Sequence, residues 1–151
     1  MGCDIHCFGE KKIEDDYVRQ YVGDFFDWRS YGLYGFLGNV RNYSAITPAT
    51  CVHKNTSLPV GVCHQIKDSY RDWREDAHNL SWVRLDNLLM YDYDQLAEDR
   101  RCTINGNGGS TCAVGLGKIL TLREFLGEGY FEELQRAWDL GVERFIFWFD
   151  N

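Results

Sequence analysis

The sequence predicts an α+β fold: a single compact domain, 1–151, with a small, mostly antiparallel sheet that includes both terminal strands, and about three to four helices packed on it. Three observations lead there. The opening residues, M-G-C-D-I-H-C-F, alternate Cys3, Ile5 and Cys7 with Asp4, His6 and Phe8, a period-two pattern that puts Asp4 and His6 on one face. The closing residues, V-E-R-F-I-F-W-F-D-N, form a short aromatic and β-branched run directly after a helical stretch, as a buried strand does. Between them lie segments of helical period, with no internal repeat and no linker.

Each element follows in order. Residues 3–9 are the first strand, and the polar stretch E-K-K-I-E-D-D turns the chain into a second, Y-V-R-Q-Y-V at 17–22, as a hairpin. Asp24 or Asp27 offers an N-cap for a helix through W-R-S-Y-G-L-Y-G-F-L, with Trp28, Tyr31, Leu33, Tyr34 and Leu37 as its apolar side. Gly32 and Gly35 would let that helix approach a neighbour closely. Residues 44–61 hold both prolines and read as a long surface loop. Residues 62–76 form an amphipathic helix carrying Val62, Ile66, Tyr70 and Trp73 at helical spacing. Residues 105–117 are glycine-rich and irregular. T-L-R-E at 121–124 is a capping box, and residues 129–141 form a helix closed by Gly141 as its C′ residue. The final strand lies beside the first, which ties Asp4 and His6 into the fold.

Composition narrows the function classes. The chain is 44% hydrophobic, 15% aromatic and 26% charged, which is globular rather than disordered. A net charge of −7 repels phosphate backbones, so bulk nucleic-acid binding is disfavoured, though a small anion in a local basic pocket is not. No signal peptide and no membrane span is legible, so the six cysteines are expected as reduced thiols in a cytoplasm.

Three constellations could carry chemistry. Asp4-Ile5-His6 and Asp76-Ala77-His78 are both Asp-x-His, a spacing that on a strand can chelate a divalent cation or work as an acid/base pair, or simply orient each histidine. Arg41, Asn42 and Tyr43 offer a fork for phosphate, an amide for a base edge and an aromatic face, or else a helix end with a surface ion pair. D-A-H-N-L-S-W gathers Asp76, His78, Asn79, Ser81 and Trp82, which suits a pocket where a ring stacks on Trp82, or an Asx-turn leading into a strand. V-G-L-G-K is no P-loop, because Cys112 and Ile119 stand where Gly and Ser/Thr are needed. Cys51-Val52-His53 and Cys63-His64 fit no zinc-finger spacing.

The opening M-G-C-D-I-H, the central R-N-Y, the D-x-H-x-x-S-W segment and the final F-W-F-D-N resemble a group of small bacteriophage proteins, in order and over nearly the whole length. Where that group carries an R-G-x-P-like loop this chain has S-L-P-V-G at 57–61, so no arginine role carries over there. The resemblance implies a phage accessory protein in the cytoplasm of an infected bacterium, of the kind that counters host defence by sequestering a nucleotide-derived signal. Residues and resemblance together make Asp4, His6, Arg41, Asn42, Tyr43, Asp76, His78, Ser81 and Trp82 the expected pocket for a small phosphorylated, nucleotide-like ligand, without a cofactor, in a homo-oligomer. The alternative is a phosphoesterase with a divalent metal ion held by Asp4, His6, Asp76 and His78. A third reading is a protein-interaction inhibitor of a host defence protein, working through exposed aromatics and the acidic surface.

Overall fold

The computed structural model describes residues 2–20, 23–50, 57–102, 110–111 and 113–151, without the side chains of 102, 110 and 111. Its centre is the apolar C-terminal run. Arg144–Asp150, here β8, is hydrogen-bonded on both sides, and Phe145 through Phe149 are wholly buried. A strand apolar on both faces needs cover on both faces, and this one is the middle of a layered domain.

β1 (Asp4–Ile13) and β3 (His78–Arg84) flank β8, and β2 (Asp16–Arg19) adds to the outer edge of β1. The sheet order is β2-β1-β8-β3, antiparallel throughout. The first and last strands are therefore direct neighbours, with Asp4 opposite Asp150 and Glu10 opposite Arg144. Small two-stranded ribbons accompany the sheet: β4 (Leu96–Asp99) with β7 (Lys118–Thr121), and β5 (Arg101–Cys102) with β6 (Ser110–Thr111).

Ile5, Cys7, Val83, Phe145, Phe147 and Phe149 face the larger core. It is roofed by α1 (Tyr31–Gly38), α4 (Leu122–Leu126) and α5 (Glu128–Asp139), with α3 (Leu85–Leu89) contributing Leu85 and Leu88. α1 is buried from Gly32 to Gly38, as a helix apolar all round must be. A Cβ on Gly38 would stand 2.7 Å from the Phe149 ring, so glycine allows the helix end to lie against β8. Phe8, Ile146 and Trp148 face the other way into a smaller core, covered by Ile66, Tyr70 and Trp73 of α2 (His64–Trp73).

The expected capping box is present, with Glu124 N donating to Thr121 Oγ1 at 3.1 Å and Thr121 N to Glu124 Oε1 at 3.3 Å. Gly141 closes α5 at φ 75°, where its N–H donates to Trp138 O and that of Val142 to Ala137 O, a Schellman pair. Other boundaries moved. α1 begins at Tyr31 with Ser30 as N-cap, accepting from Leu33 N, rather than at Asp24 or Asp27. Residues 25 and 26 are instead anchors: both phenylalanines are fully buried, and Phe26 N donates to Glu133 Oε2 at 2.9 Å. α2 is shorter than 62–76, and β2 ends at Arg19, with residues 21–22 of the expected strand outside the described set. Residues 51–56 of the expected long loop, including Cys51 and His53, and 105–109 and 112 of the glycine-rich stretch also lie outside it. Cys3, Cys7 and Cys63 are buried free thiols, and no helix among the described residues is long and apolar enough to cross a membrane.

One ion pair joins the layers. Arg144 Nε donates to Glu10 Oε1 at 2.7 Å, with side-chain exposures of 5% and 0%. Glu10 Oε2 accepts from Cys63 N, the N-cap of α2, at 2.7 Å, and Arg144 Nη1 donates to Val60 O at 3.0 Å. Tyr17 lies against the guanidinium, 3.5 Å from ring centre to carbon. Removing one partner strands a buried charge. Glu10→Ala or Arg144→Ala alone lowers the unfolding free energy by about 3–5 kcal/mol in urea denaturation, while the double change Glu10→Leu with Arg144→Met recovers most of the loss. Equal losses in the single and double variants would contradict this account.

Candidate functional site

The sheet ends where β1 and β3 begin and β8 stops, and the sequence-selected polar residues gather unevenly at that end. Directly opposed carboxylates repel unless compensated. Asp4 is compensated by Arg29, whose Nε and Nη2 donate to its two oxygens at 2.9 and 2.8 Å. Those hydrogen bonds hold the Asp4 carboxyl below the ordinary aspartate value. Asp150 is compensated by His6, with Nε2 at 2.9 Å from Oδ2, and its Oδ1 accepts from Asp4 N at 3.3 Å. A carboxylate only accepts, so the His6 proton sits on Nε2. The ring lies 4.2 Å from that of Trp73, capping the smaller core. Asp4 and His6 thus have partners of their own, and their first role is to finish the sheet.

The second Asp-x-His separates. Asp76 is exposed in the turn after α2, with its N–H donated to Trp73 O, whereas His78 starts β3 and turns its ring nitrogens to other residues. His78 Nδ1 is 3.0 Å from Asn79 Oδ1, and Nε2 is 3.2 Å from Asn151 Oδ1. Asn79 adopts φ 54°, the register of β3 on β8 shifts between His78 and Ser81, and the Asn79 amide Nδ2 donates to Gly38 O at 3.0 Å. This is a β-bulge tied to the end of α1, and Ser81 Oγ locks it by donating to Asn79 O at 3.0 Å. Among the described residues no group of three or more His, Cys, Asp or Glu side chains is placed to hold a metal ion.

The bulge borders a cleft of about 490 Å³ between the C-terminus of α1, the start of β3 and α2. Gly38, Asn39, Tyr70, His78, Asn79 and Ser81 are among its lining residues. Trp82 is not: it lies against β8 opposite Ile146, with the Arg144 guanidinium 5.8 Å from its ring, whereas His78 lies opposite Phe149. Three positions along β8, from Phe149 to Ile146, is roughly 10 Å, so Trp82 stands well along the sheet from the cleft that His78 lines.

The R-N-Y segment is divided too. Asn42 is a loop clamp, donating to Asn39 Oδ1 and Ile46 O and accepting from Ile46 N at 3.0 Å. Arg41 lies over the Tyr31 ring at 5.1 Å and donates a hydrogen bond to Tyr43, and its charge reaches Cys3 at the head of β1. Exposed Tyr43 meets Tyr31 edge-on at 6.3 Å. Arg41 and Tyr43 therefore stand at the same sheet end, two and four positions beyond the lining residue Asn39.

Sequence reasoning missed Arg29, Asp150, Asn151 and Tyr70 as members of this end. Asp150 and Asn151 belong to the closing F-W-F-D-N, and Tyr70 shows as an apolar helix position, but nothing local marks Arg29. A larger open groove of about 780 Å³ runs between α4 and α5 over Phe131, with Glu124, Glu128 and Glu132 at its sides. It touches none of the constellations.

No family model matches the chain, and no curated protein or solved structure matches it either.

The Asp4–Arg29 pair has a defined pH signature. Because the folded-state carboxyl is depressed, its contribution to stability is present above the unfolded aspartate value and is lost as pH falls through the lower folded one. In a carbon-13 carboxyl titration, Arg29→Ala moves the Asp4 midpoint up toward that of an ordinary aspartate. An unmoved midpoint would remove Arg29 as the cause.

Proposed function

We propose that this chain is a small-molecule binding protein whose site is the cleft at His78, and that its ligand is nucleotide-like. The observation that supports this most is the placement of His78, Asn79 and Ser81, three polar residues of one short motif, on the wall of a 490 Å³ cleft beside the Tyr70 ring. That volume falls in the range of small-molecule sites, and one aromatic wall with a few fixed polar groups is their usual chemistry. A planar base lies against Tyr70 and Leu80 in this reading, and its phosphate extends toward Arg41. Tyr43 rather than Trp82 is the exposed ring near that phosphate end.

Metal-dependent hydrolysis is the weaker reading. It needs Asp76 and His78 to face one ion, whereas both His78 ring nitrogens meet asparagine amides and Asp76 sits in an exposed turn. Binding alone asks for no base and no nucleophile. The resemblance to small phage proteins supplies the setting, the cytoplasm of an infected bacterium, and capture of a host-made nucleotide signal supplies a purpose.

The test is native mass spectrometry of protein purified from bacteria, followed by calorimetry with AMP and adenosine. A nucleotide-sized mass released on denaturation and indifferent to chelator is the expected result. Arg41→Gln weakens AMP about tenfold, the worth of one charge-assisted hydrogen bond, and leaves adenosine unchanged. Ala77→Phe, which fills the cleft wall, abolishes both. Co-purified metal, with phosphodiesterase activity lost on chelation, would replace this reading with the hydrolase.

A further inference from the structure

Resting on the cleft as the binding site, we infer that His78 Nε2 is a hydrogen-bond acceptor that selects an amino-bearing base, so that the cleft takes the base end of the ligand and rejects its phosphate. Gly38 O, at the end of α1, can only accept, so the Asn79 amide atom 3.0 Å away is Nδ2. Asn79 Oδ1 is then the atom facing His78 Nδ1 at 3.0 Å, and being an acceptor it requires the proton on Nδ1. An uncharged imidazole has one N–H, so Nε2 carries a lone pair.

The polar atom against Nε2 among the described residues is Asn151 Oδ1, at 3.2 Å, an oxygen that cannot donate to a lone pair, so an accepting Nε2 requires this terminal amide to turn over or give way. Asn151 is exposed, so turning its NH₂ to Nε2, or yielding the place to a ligand, costs little. Asn79 is thus a positioning residue: helix end, asparagine and imidazole form a relay with one outcome, an acceptor at the cleft wall.

A second observation points the same way. Gly38 and Asn39 line the cleft, which puts the negative end of the α1 dipole there. Its described lining residues include no Lys, Arg, Asp or Glu. A lone pair and a helix C-terminus repel an anion and welcome an N–H donor. An exocyclic amine on a flat ring meets both demands, and the phosphate stays outside.

The deciding experiment pairs nitrogen-15 histidine spectra at about pH 8, where free imidazole is uncharged, with binding of adenosine, N6,N6-dimethyladenosine and inorganic phosphate. We expect His78 as the Nδ1–H form in the wild type and the Nε2–H form, which unconstrained imidazole favours, in Asn79→Gly. That variant keeps a residue able to hold positive φ while deleting the amide. Adenosine binds about tenfold more tightly than its dimethyl analogue, a factor worth one hydrogen bond, and loses that margin in Asn79→Gly. Phosphate alone does not perturb His78. An Nε2–H form in the wild type, equal affinity for the two nucleosides, or phosphate binding at His78 overturns the inference while the cleft remains a binding site. Failure of both nucleosides to bind overturns the inference and the binding reading together.

Discussion

The buried pair of Glu10 and Arg144 is the constraint on which the rest of this structure depends. In most half-buried sheets the alternation of apolar and polar residues sets the register, because a slip of one residue turns the apolar face to water. That device is missing here. β8 is apolar on both faces and buried on both, so a slipped pairing would cost little in hydrophobic burial. Register has to come from polar groups at its ends. Arg144 opens the strand directly opposite Glu10, and any other pairing leaves two buried charges apart. The same carboxylate accepts the N–H of Cys63, the N-cap of α2, and the guanidinium donates to a loop carbonyl, so sheet register and the placement of the second layer are fixed together.

With the register fixed at one end of β8, the other end follows. Asp150 must fall opposite Asp4, and two carboxylates there would repel were Arg29 and His6 not in place. Arg29 reaches Asp4 from the segment before α1, and His6, on β1 itself, is pressed against Trp73 of α2, so the elements around this sheet end supply or hold each compensating group. The polar row that looks like an active site in the sequence is thereby accounted for by sheet geometry. The cleft at His78 is different, because nothing in the register of β8 requires a break in β3.

This division explains what was legible beforehand. Period-two alternation at Cys3–Phe8, the apolar run at 145–149, the capping box at Thr121 and the glycine stop at 141 are local signals, set by backbone geometry and short-range hydrogen bonds, and all appear where the sequence places them. The partners that decide chemistry are distant. His6 meets a residue 144 positions away, Asp4 one 25 away, and Asn79 one 41 away. No spacing rule carries such pairs. Asn42 is a related case: an amide between an arginine and a tyrosine reads as recognition chemistry, yet its donors and acceptor are engaged by Asn39 and Ile46, three residues before it and four after. Trp82 lies away from the cleft through the bulge, since counting along an ideal strand ignores the residue that the bulge takes out of the ladder.

The bulge itself carries the last step. β3 lies beside the most buried strand of the molecule, where an uninterrupted ladder would satisfy every backbone group at least cost. Instead Asn79 takes a left-handed conformation, the ladder breaks between His78 and Ser81, and two side chains and a helix carbonyl are recruited to hold the break. Asparagine is among the few residues that tolerate that backbone, and it is also a side chain able to donate to Gly38 O while accepting from His78 Nδ1. Glycine would serve the backbone alone, and aspartate would bring a second acceptor to a carbonyl. One residue type meets both demands, and what the combination produces is an imidazole held in one tautomer on the wall of a cleft. A device that only ended a strand would have no use for the tautomer.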